Sequence, residues 1–312
     1  MIDISVVTPT YNRAALLPRV WRSIRDQNVE FQWVVADDGS TDQTQAVVEG
    51  FRDPRIVYFR LPTNRGVNTA RNAGSRIARG RYLLFLDSDD ELYPDVLAKM
   101  LKTMEAADKS VGVCAFACMM ANTGQRACRL ARGEILDERQ VVCRGGLQQG
   151  GESILVYRRE VFNHFQLPED LRGCEQVFVY QISQRYRYLM IDEPGSIVHR
   201  QGDNLSGIES LVRRSRDIAV SYERILENHA SLLKTDTDAR NRFFRKAMYR
   251  YGIAGLRCEV WRIYRRLITQ GIGPVHWFST HALFLLSMTA PRIFERWRIN
   301  RMQQGIGSGG TP

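Results

Sequence analysis

Arg81 to Glu91 reads RYLLFLDSDDE, and this stretch decides the fold. Tyr82 to Leu86 is a short, unbroken apolar run. It stops in a turn carrying three carboxylates, Asp87, Asp89 and Asp90. An apolar run of this length closed by turn residues predicts a strand buried on both faces, as in a parallel sheet. In open α/β sheets ligands gather beyond the carboxyl ends of the strands. Carboxylates this close repel one another unless a cation lies between them. Asp-x-Asp offers hard oxygen ligands on one side of a turn, a donor set suited to Mg²⁺ or Mn²⁺ carrying phosphates. Taken alone, the turn is equally readable as a solvated cap of a helix starting near Tyr93.

Upstream, the pattern repeats. Ile2 to Val7 is strand-like and runs into Thr8-Pro9-Thr10-Tyr11-Asn12-Arg13. Ala14 to Asp26 has helical spacing through Leu16, Leu17, Val20, Trp21 and Ile24. Phe31 to Ala36 predicts a second strand, ending in Asp37-Asp38-Gly39-Ser40-Thr41-Asp42. A helix (Thr44 to Phe51), a short strand (Ile56 to Arg60) and a loop-to-helix segment (Asn64 to Gly80) complete the series. This β-α-β-α-β-α-β order predicts a doubly wound parallel sheet whose strand-end turns share one edge. Neither G-x-G-x-x-G nor G-x-x-x-x-G-K-[ST] occurs, which disfavours dinucleotide and P-loop ATPase folds.

Downstream, a helix is expected from Asp95 to Ala107 and a buried strand from Val111 to Met120. Thr123 to Gly151 is polar and irregular, with Gly145-Gly146 and Gly150-Gly151 as hinges, the make-up of a lid. Ser153 to Tyr157 predicts a strand and Arg158 to Phe165 a short helix. Leu171 to Gln176 leads into a helix reaching about Arg187. Tyr188 to Ile191 and Ser196 to Val198 predict two short strands, followed by the polar loop His199 to Ser206.

The 312 residues carry a net charge of +10. From Ser206 onward there are 18 Lys/Arg against 8 Asp/Glu, so this last third holds the whole excess. Its amphipathic segments, Ile208 to Leu233, Arg240 to Tyr251 and Gly255 to Ile268, are studded with Arg. His276 to Ala290 is apolar but too short and polar to span a bilayer. Arg292, Arg296, Arg298, Arg301, Trp277 and Trp297 flank it, a pattern suited to the surface of an anionic leaflet. The alternative is packing on the rest of the chain, or pairing of two copies. Nucleic acid is disfavoured, because the helices carry no recognition motif. The six cysteines form no C-x-x-C and read as free thiols of a reducing compartment. The chain opens on a strand, without the pattern of a signal peptide.

Together, VVTPTYNR, the Asp37-Asp38-Gly-Ser-Thr-Asp turn, Asn64-Arg65-Gly66 with Ala70-Arg71-Asn72-Gly74, LDSDD, LRGCEQ and His199 resemble the family 2 glycosyltransferases, over about Ile2 to Ser206. The resemblance implies a GT-A fold: a Rossmann-like, mixed but mainly parallel sheet flanked by helices, here with an α-helical C-terminal extension. It divides the chain into a nucleotide-sugar-binding half (1–110), an acceptor-binding half of the same domain (111–205), a basic helical region (206–303) and a tail (304–312). It implies an inverting, metal-assisted transfer from a nucleotide-diphosphate sugar to a hydroxyl of a glycan or lipid-linked acceptor, in cell-envelope polysaccharide or glycolipid synthesis. A UDP donor is favoured, with dTDP and GDP open. A cytoplasmic enzyme, peripheral on the inner membrane face, follows from the same likeness. Pro9 and Tyr11 would wall the base pocket, Asp38 would accept from the base, and Arg71 would approach base or diphosphate. Asp87 would lie by the ribose with Ser88 beside it, Asp89 would ligate Mn²⁺ or Mg²⁺, and His199 would complete that site. The family's usual Glu-Asp pair is Glu175-Gln176 here, and Gln cannot take a proton. That leaves Glu175, then Asp170, as the base, or a chain that binds nucleotide sugars without turnover.

Overall fold

The computed structural model describes residues 1–147, 152–199, 208–271 and 277–289. Two compact units, Met1–Gln201 and Gly202–Pro312, divide the chain. The expectations for Gly150-Gly151, for most of His199 to Ser206, for residues 272–274 and for everything from Ala290 onward lie outside the described residues.

In the first unit, β1 (Ile4–Thr10) is buried along its whole length. It pairs in parallel with β2 (Phe31–Asp37) on one side and β4 (Tyr82–Phe85) on the other. Outside β2 lies β3 (Ile56–Arg60), also parallel. Helix α1 (Leu17–Ile24) starts with Pro18 in its first turn, where a missing N–H costs nothing. It buries Leu17, Val20, Trp21 and Ile24. Trp21 stacks on Trp33 of β2 with ring centroids 5.4 Å apart. Helix α2 (Thr44–Gly50) follows β2. Helix α3 (Val67–Ile77) lies directly on the sheet. Its glycine, Gly74, makes this possible, since a Cβ there would sit 2.4 Å from Val7 Cγ1.

Beyond β4 the sheet turns mixed. Strand β8 (Ser153–Arg158) enters antiparallel between β4 and β6 (Val111–Met120). Strand β9 (Arg187–Val198) then runs parallel to β6, and the two-residue β5 (Glu91–Leu92) closes the edge. The order is β3-β2-β1-β4-β8-β6-β9-β5, with β7 (Ile135–Leu136) pairing β9. The two strands expected near Tyr188 and Ser196 are one long strand. Its register against β6 shifts where Pro194 interrupts the ladder, which makes the sequence read as two pieces.

Three local expectations change. The helix expected from Asp95 to Ala107 is α4 (Val96–Ala106), and it is the alternative start near Tyr93 that fails. Pro94 biases Tyr93 away from helical backbone, and Tyr93 N–H instead donates to Gly195 O at 3.0 Å. The expected lid contains β7 and helix α5 (Glu138–Arg144), the latter opened by a reciprocal Asp137–Gln140 capping box. The helix after Arg158 is a 3₁₀ turn, Arg159–Asn163, and the next, α6 (Gln176–Ser183), is shorter than expected.

The second unit is helical: α7 (Ile208–Arg213), α8 (Ser215–Asn228), α9 (Ala230–Thr235), α10 (Thr237–Ile253), α11 (Arg257–Thr269) and α12 (Trp277–Thr289). Ile218, Ile225, Phe243, Phe244, Met248, Val260 and Ile263 build its core. Glu223 is buried among them. Arg262 grips it with two bonds of 2.7 Å and the Tyr251 hydroxyl donates to it. Burial pushes this carboxyl up, but the Arg262 and Tyr251 bonds outweigh burial and hold it below the usual carboxylate range. Among the described residues, no helix is long and apolar enough to cross a membrane.

Candidate functional site

Parallel pairing brings the motif-bearing strand ends to one edge. Thr10 sits opposite Asp37, Asp38 N–H donates to Thr10 O at 2.8 Å, and Leu86 N–H donates to Val7 O at 3.0 Å. The first two turns are then stitched together. Asn12, in left-handed backbone, accepts from Thr41 N–H at 2.8 Å and donates its own N–H to Ser40 Oγ at 2.9 Å. Asp37 is consumed by structure, accepting from Ser40 N–H and from the Tyr58 hydroxyl. Asp38 is buried and accepts from the N–H groups of Arg65 (2.8 Å) and Gly66 (2.7 Å). Burial raises its pKa against those two bonds. Each of its oxygens keeps a second lone pair. Pro9 is buried within β1, while Tyr11 stands half-exposed at the rim, 43% accessible.

The acid turn follows β4. Carboxylate oxygens of Asp87, Asp89 and Asp90 all lie within 4.8 Å of one another, and Ser88 between them is buried. Burial and the neighbouring Asp87 charge raise Asp89. The same two causes push Asp90 up to about 8. Arg13 answers part of this charge, 3.6 Å from Asp89 Oδ2, and Arg19 donates to the Asp89 carbonyl. These two arginines escape the sequence reading. Arg13 ends the TPTYNR motif and is visible there, whereas Arg19 looks like any charge on a helix surface. Asp90 does not cap α4; it accepts His199 N–H at 3.0 Å. The His199 ring turns to Glu91, with Nε2 2.6 Å from Oε1. The ring nitrogen is thus beside the acid turn without belonging to its oxygen cluster.

The second half of the site hangs on α3. Asn68 donates to the carbonyls of Pro168 and Leu171, and Asn72 to that of Leu167. Glu169 accepts from Thr69 and Asn72. The 167–171 loop is therefore fastened to α3. Arg71, on the same helix, is buried and reaches two carboxylates at once: Asp87 Oδ1 at 2.6 Å and Glu175 Oε1 at 2.5 Å. Burial works against its charge, but the Asp87 and Glu175 carboxylates outweigh it and raise the guanidinium pKa. Glu175 is the residue on which α6 begins. Glu175 and Asp87 are thus joined through one guanidinium. Asp170 is exposed on the loop that leads to Glu175.

A parallel strand edge with stitched turns, an oxygen-rich acidic cluster and a carboxylate opposite it define an α/β domain with its candidate ligand site beyond the strand ends. Residues 5–165 match the profile of Glycosyl transferase family 2, and the chain belongs to that family. It is 29% identical over 182 residues to the GalNAc(5)-diNAcBac-PP-undecaprenol beta-1,3-glucosyltransferase of Campylobacter jejuni, an alignment covering 56% of this chain and 58% of that one. A second curated relative, the succinoglycan biosynthesis protein ExoO of Rhizobium meliloti, is 40% identical over 112 residues, 36% of this chain and 32% of that one. The fold is similar to that of Staphylococcus aureus TarS 1–349 solved with UDP-GlcNAc (TM-score 0.57, 20% identity, 85% of this chain and 90% of that). It is also similar to that of the mannosyltransferase PcManGT of Pyrobaculum calidifontis, solved with GDP-Man and Mn²⁺ (TM-score 0.57, 18% identity, 94% and 83%). The GT-A architecture expected from the sequence is the architecture found.

Proposed function

We propose that this protein is an inverting glycosyltransferase that moves a sugar from a nucleotide-diphosphate sugar, with UDP as the nucleotide, to a hydroxyl of a glycan or lipid-linked acceptor. The observation that carries the reading is the acidic cluster Asp87-Asp89-Asp90 facing Glu175 across Arg71. The acceptor oxygen bonds to the anomeric carbon as the bond from that carbon to the diphosphate breaks. The acceptor proton goes to Glu175, on the face opposite the leaving group. Asp170, exposed on its loop, is the second candidate for that proton. Pro9 and Tyr11 wall the base, Asp38 accepts from it through its spare lone pairs, and Asp87 with Ser88 lies beside the ribose.

The residues fit a divalent ion. Three hard carboxylates are crowded together, and their negative charge is offset in part by Arg71, Arg13 and Arg19. Asp89, with Asp87 and Asp90, would hold Mn²⁺ or Mg²⁺. His199 Nε2 would join only by leaving Glu91. Such an ion neutralises charge developing on the departing diphosphate.

The names of the relatives support an acceptor from cell-envelope polysaccharide or glycolipid synthesis. The helical unit suits peripheral attachment to an anionic inner leaflet. Trp261 and Leu285 are 48% and 58% exposed, and Arg257 and Arg265 stand one turn either side of Trp261 on α11. Co-sedimentation with phosphatidylglycerol vesicles is expected to weaken in Trp261→Ala; self-association detected by sedimentation velocity instead would mark the face as a dimer contact.

Gln176 favours one other reading, a nucleotide-sugar binder without turnover. Hydrolysis of UDP-GlcNAc, UDP-glucose or GDP-mannose that needs Mn²⁺ and disappears in Asp89→Ala supports the transferase. Mn²⁺-dependent nucleotide binding with no hydrolysis by the unaltered protein supports the binder.

A further inference from the structure

Arg71 bridges two carboxylates, an arrangement that a surface charge does not explain. Its side chain is 10% exposed, while those of Asp87 and Glu175, which it joins, are 48% and 41% exposed. A fixed, desolvated cation therefore holds two carboxylates that each remain open to solvent. The fixing is extensive. Helix α3 lies against β1 at Gly74, and the aromatic ring of Phe85 lies 5.7 Å from the guanidinium carbon. Asn68 and Asn72 grip the loop that leads to Glu175.

We propose that Arg71 is a positioning residue that aims Glu175 at the acceptor, using Asp87 on the donor side as its second anchor. The proposal rests on the reading of Glu175 as the base and deepens it. At the start of α6, Glu175 makes no side-chain cap to its own helix. Its side chain takes its direction from the guanidinium, which holds Oε1 and leaves Oε2 to accept the proton. A planar guanidinium donates in two directions at a set angle, whereas an ammonium is a point charge. Lysine at this position keeps the charge and loses the bridge. Because Asp87 lies within the acid turn, the aim of the base is referenced to the seat of the leaving diphosphate. Bond breaking and proton removal are thereby registered on one rigid group.

The test uses the full chain, Mn²⁺, and UDP-GlcNAc, UDP-glucose and GDP-mannose as donor probes, with water as acceptor. In Arg71→Lys, turnover is expected to fall about 100-fold, the scale of a misplaced general base. UDP affinity measured by calorimetry and the donor KM should stay within about threefold. Glu175→Gln should fall at least as far, and the double variant should be no slower than Glu175→Gln alone, since both changes remove one function. Guanidinium added at millimolar concentration should restore part of the turnover of Arg71→Ala. A protein merely loosened by the substitution would not respond in that way. Unchanged turnover in Arg71→Lys, or losses that multiply in the double variant, overturns the proposal. So does a loss of UDP affinity as large as the loss of turnover, which would make Arg71 a donor contact. Full turnover in Glu175→Gln instead removes the base reading itself.

Discussion

Two carboxylate centres in this chain are built in opposite ways. In the helical unit, Glu223 is enclosed by Arg262, Arg266 and the Tyr251 hydroxyl, and its charge is answered in full. At the sheet edge, Asp87, Asp89 and Asp90 crowd one another and are answered only in part: Arg71 pairs with Asp87, His199 N–H donates to Asp90, and Arg13 approaches Asp89 to 3.6 Å. The titration directions follow. Despite burial, Glu223 is held below the usual carboxylate range, whereas burial and Asp87 push Asp90 up to about 8. A satisfied carboxylate is structure. A group answered only in part is what the cation proposed above would complete.

The largest effect that would break this contrast is on turnover. Asp89→Ala is expected to cut Mn²⁺-dependent donor hydrolysis about a thousandfold, the scale of losing a main electrostatic group at a leaving oxyanion. The same variant should melt, without metal, at or above the temperature of the parent, because burial and the Asp87 charge weigh more on this carboxylate than its 3.6 Å contact with Arg13 returns. A thermal melt and a rate together test both halves. Next in size, Glu223→Ala should destabilise the protein by about 2 kcal/mol, because it strands Arg262 and the Tyr251 hydroxyl. Arg262 is half-exposed, which keeps the loss below that of a fully buried pair. Hydrolysis measured well below the melting transition should be unchanged. Urea unfolding and a rate assay check the pair.

The smallest expected effect is a slope with pH. Asp90 titrates in the folded chain near 8 and from an ordinary value of 3.8 when unfolded. Between those values the folded state holds a proton that the unfolded state has released, so stability falls as pH rises through the window. Metal-free melting temperatures should drop between about pH 6 and pH 8 by a few degrees. The drop should shrink in Asp90→Asn and in the presence of Mn²⁺. A flat profile in the parent protein would show that the turn is neutralised by groups within the chain.

Much of this is readable in the chain itself, for a physical reason. An apolar run that stops in acidic turn residues encodes both a buried strand and what lies at its end, so β1, β2, β4 and the acid turn can be located. Strand direction is encoded less well. Ser153 to Tyr157 reads as a strand, but nothing in those residues says that it runs antiparallel between β4 and β6. Contacts across long separations are equally silent. The bond from His199 to Asp90 spans 109 residues, and the grip of Arg71 on Glu175 spans 104. Without them Asp90 looks like a helix cap, and nothing shows that Arg71 joins Glu175 to Asp87. Pro94 accounts for the helix starting after Tyr93, as the expected Asp95 to Ala107 span has it.

The close approach of α3 to β1 ties two positions into a single heritable unit. Gly74 and Val7 share a space too small for one more methyl group, with the Ala36 Cβ already 3.2 Å from where it would go. A change at either position alone leaves a hole or a collision, and the collision would lift the helix that carries Arg71. Across descendants of this chain, alanine at 74 should be found in company with a smaller residue at 7. A laboratory library that varies the two positions independently would be dominated by dead clones.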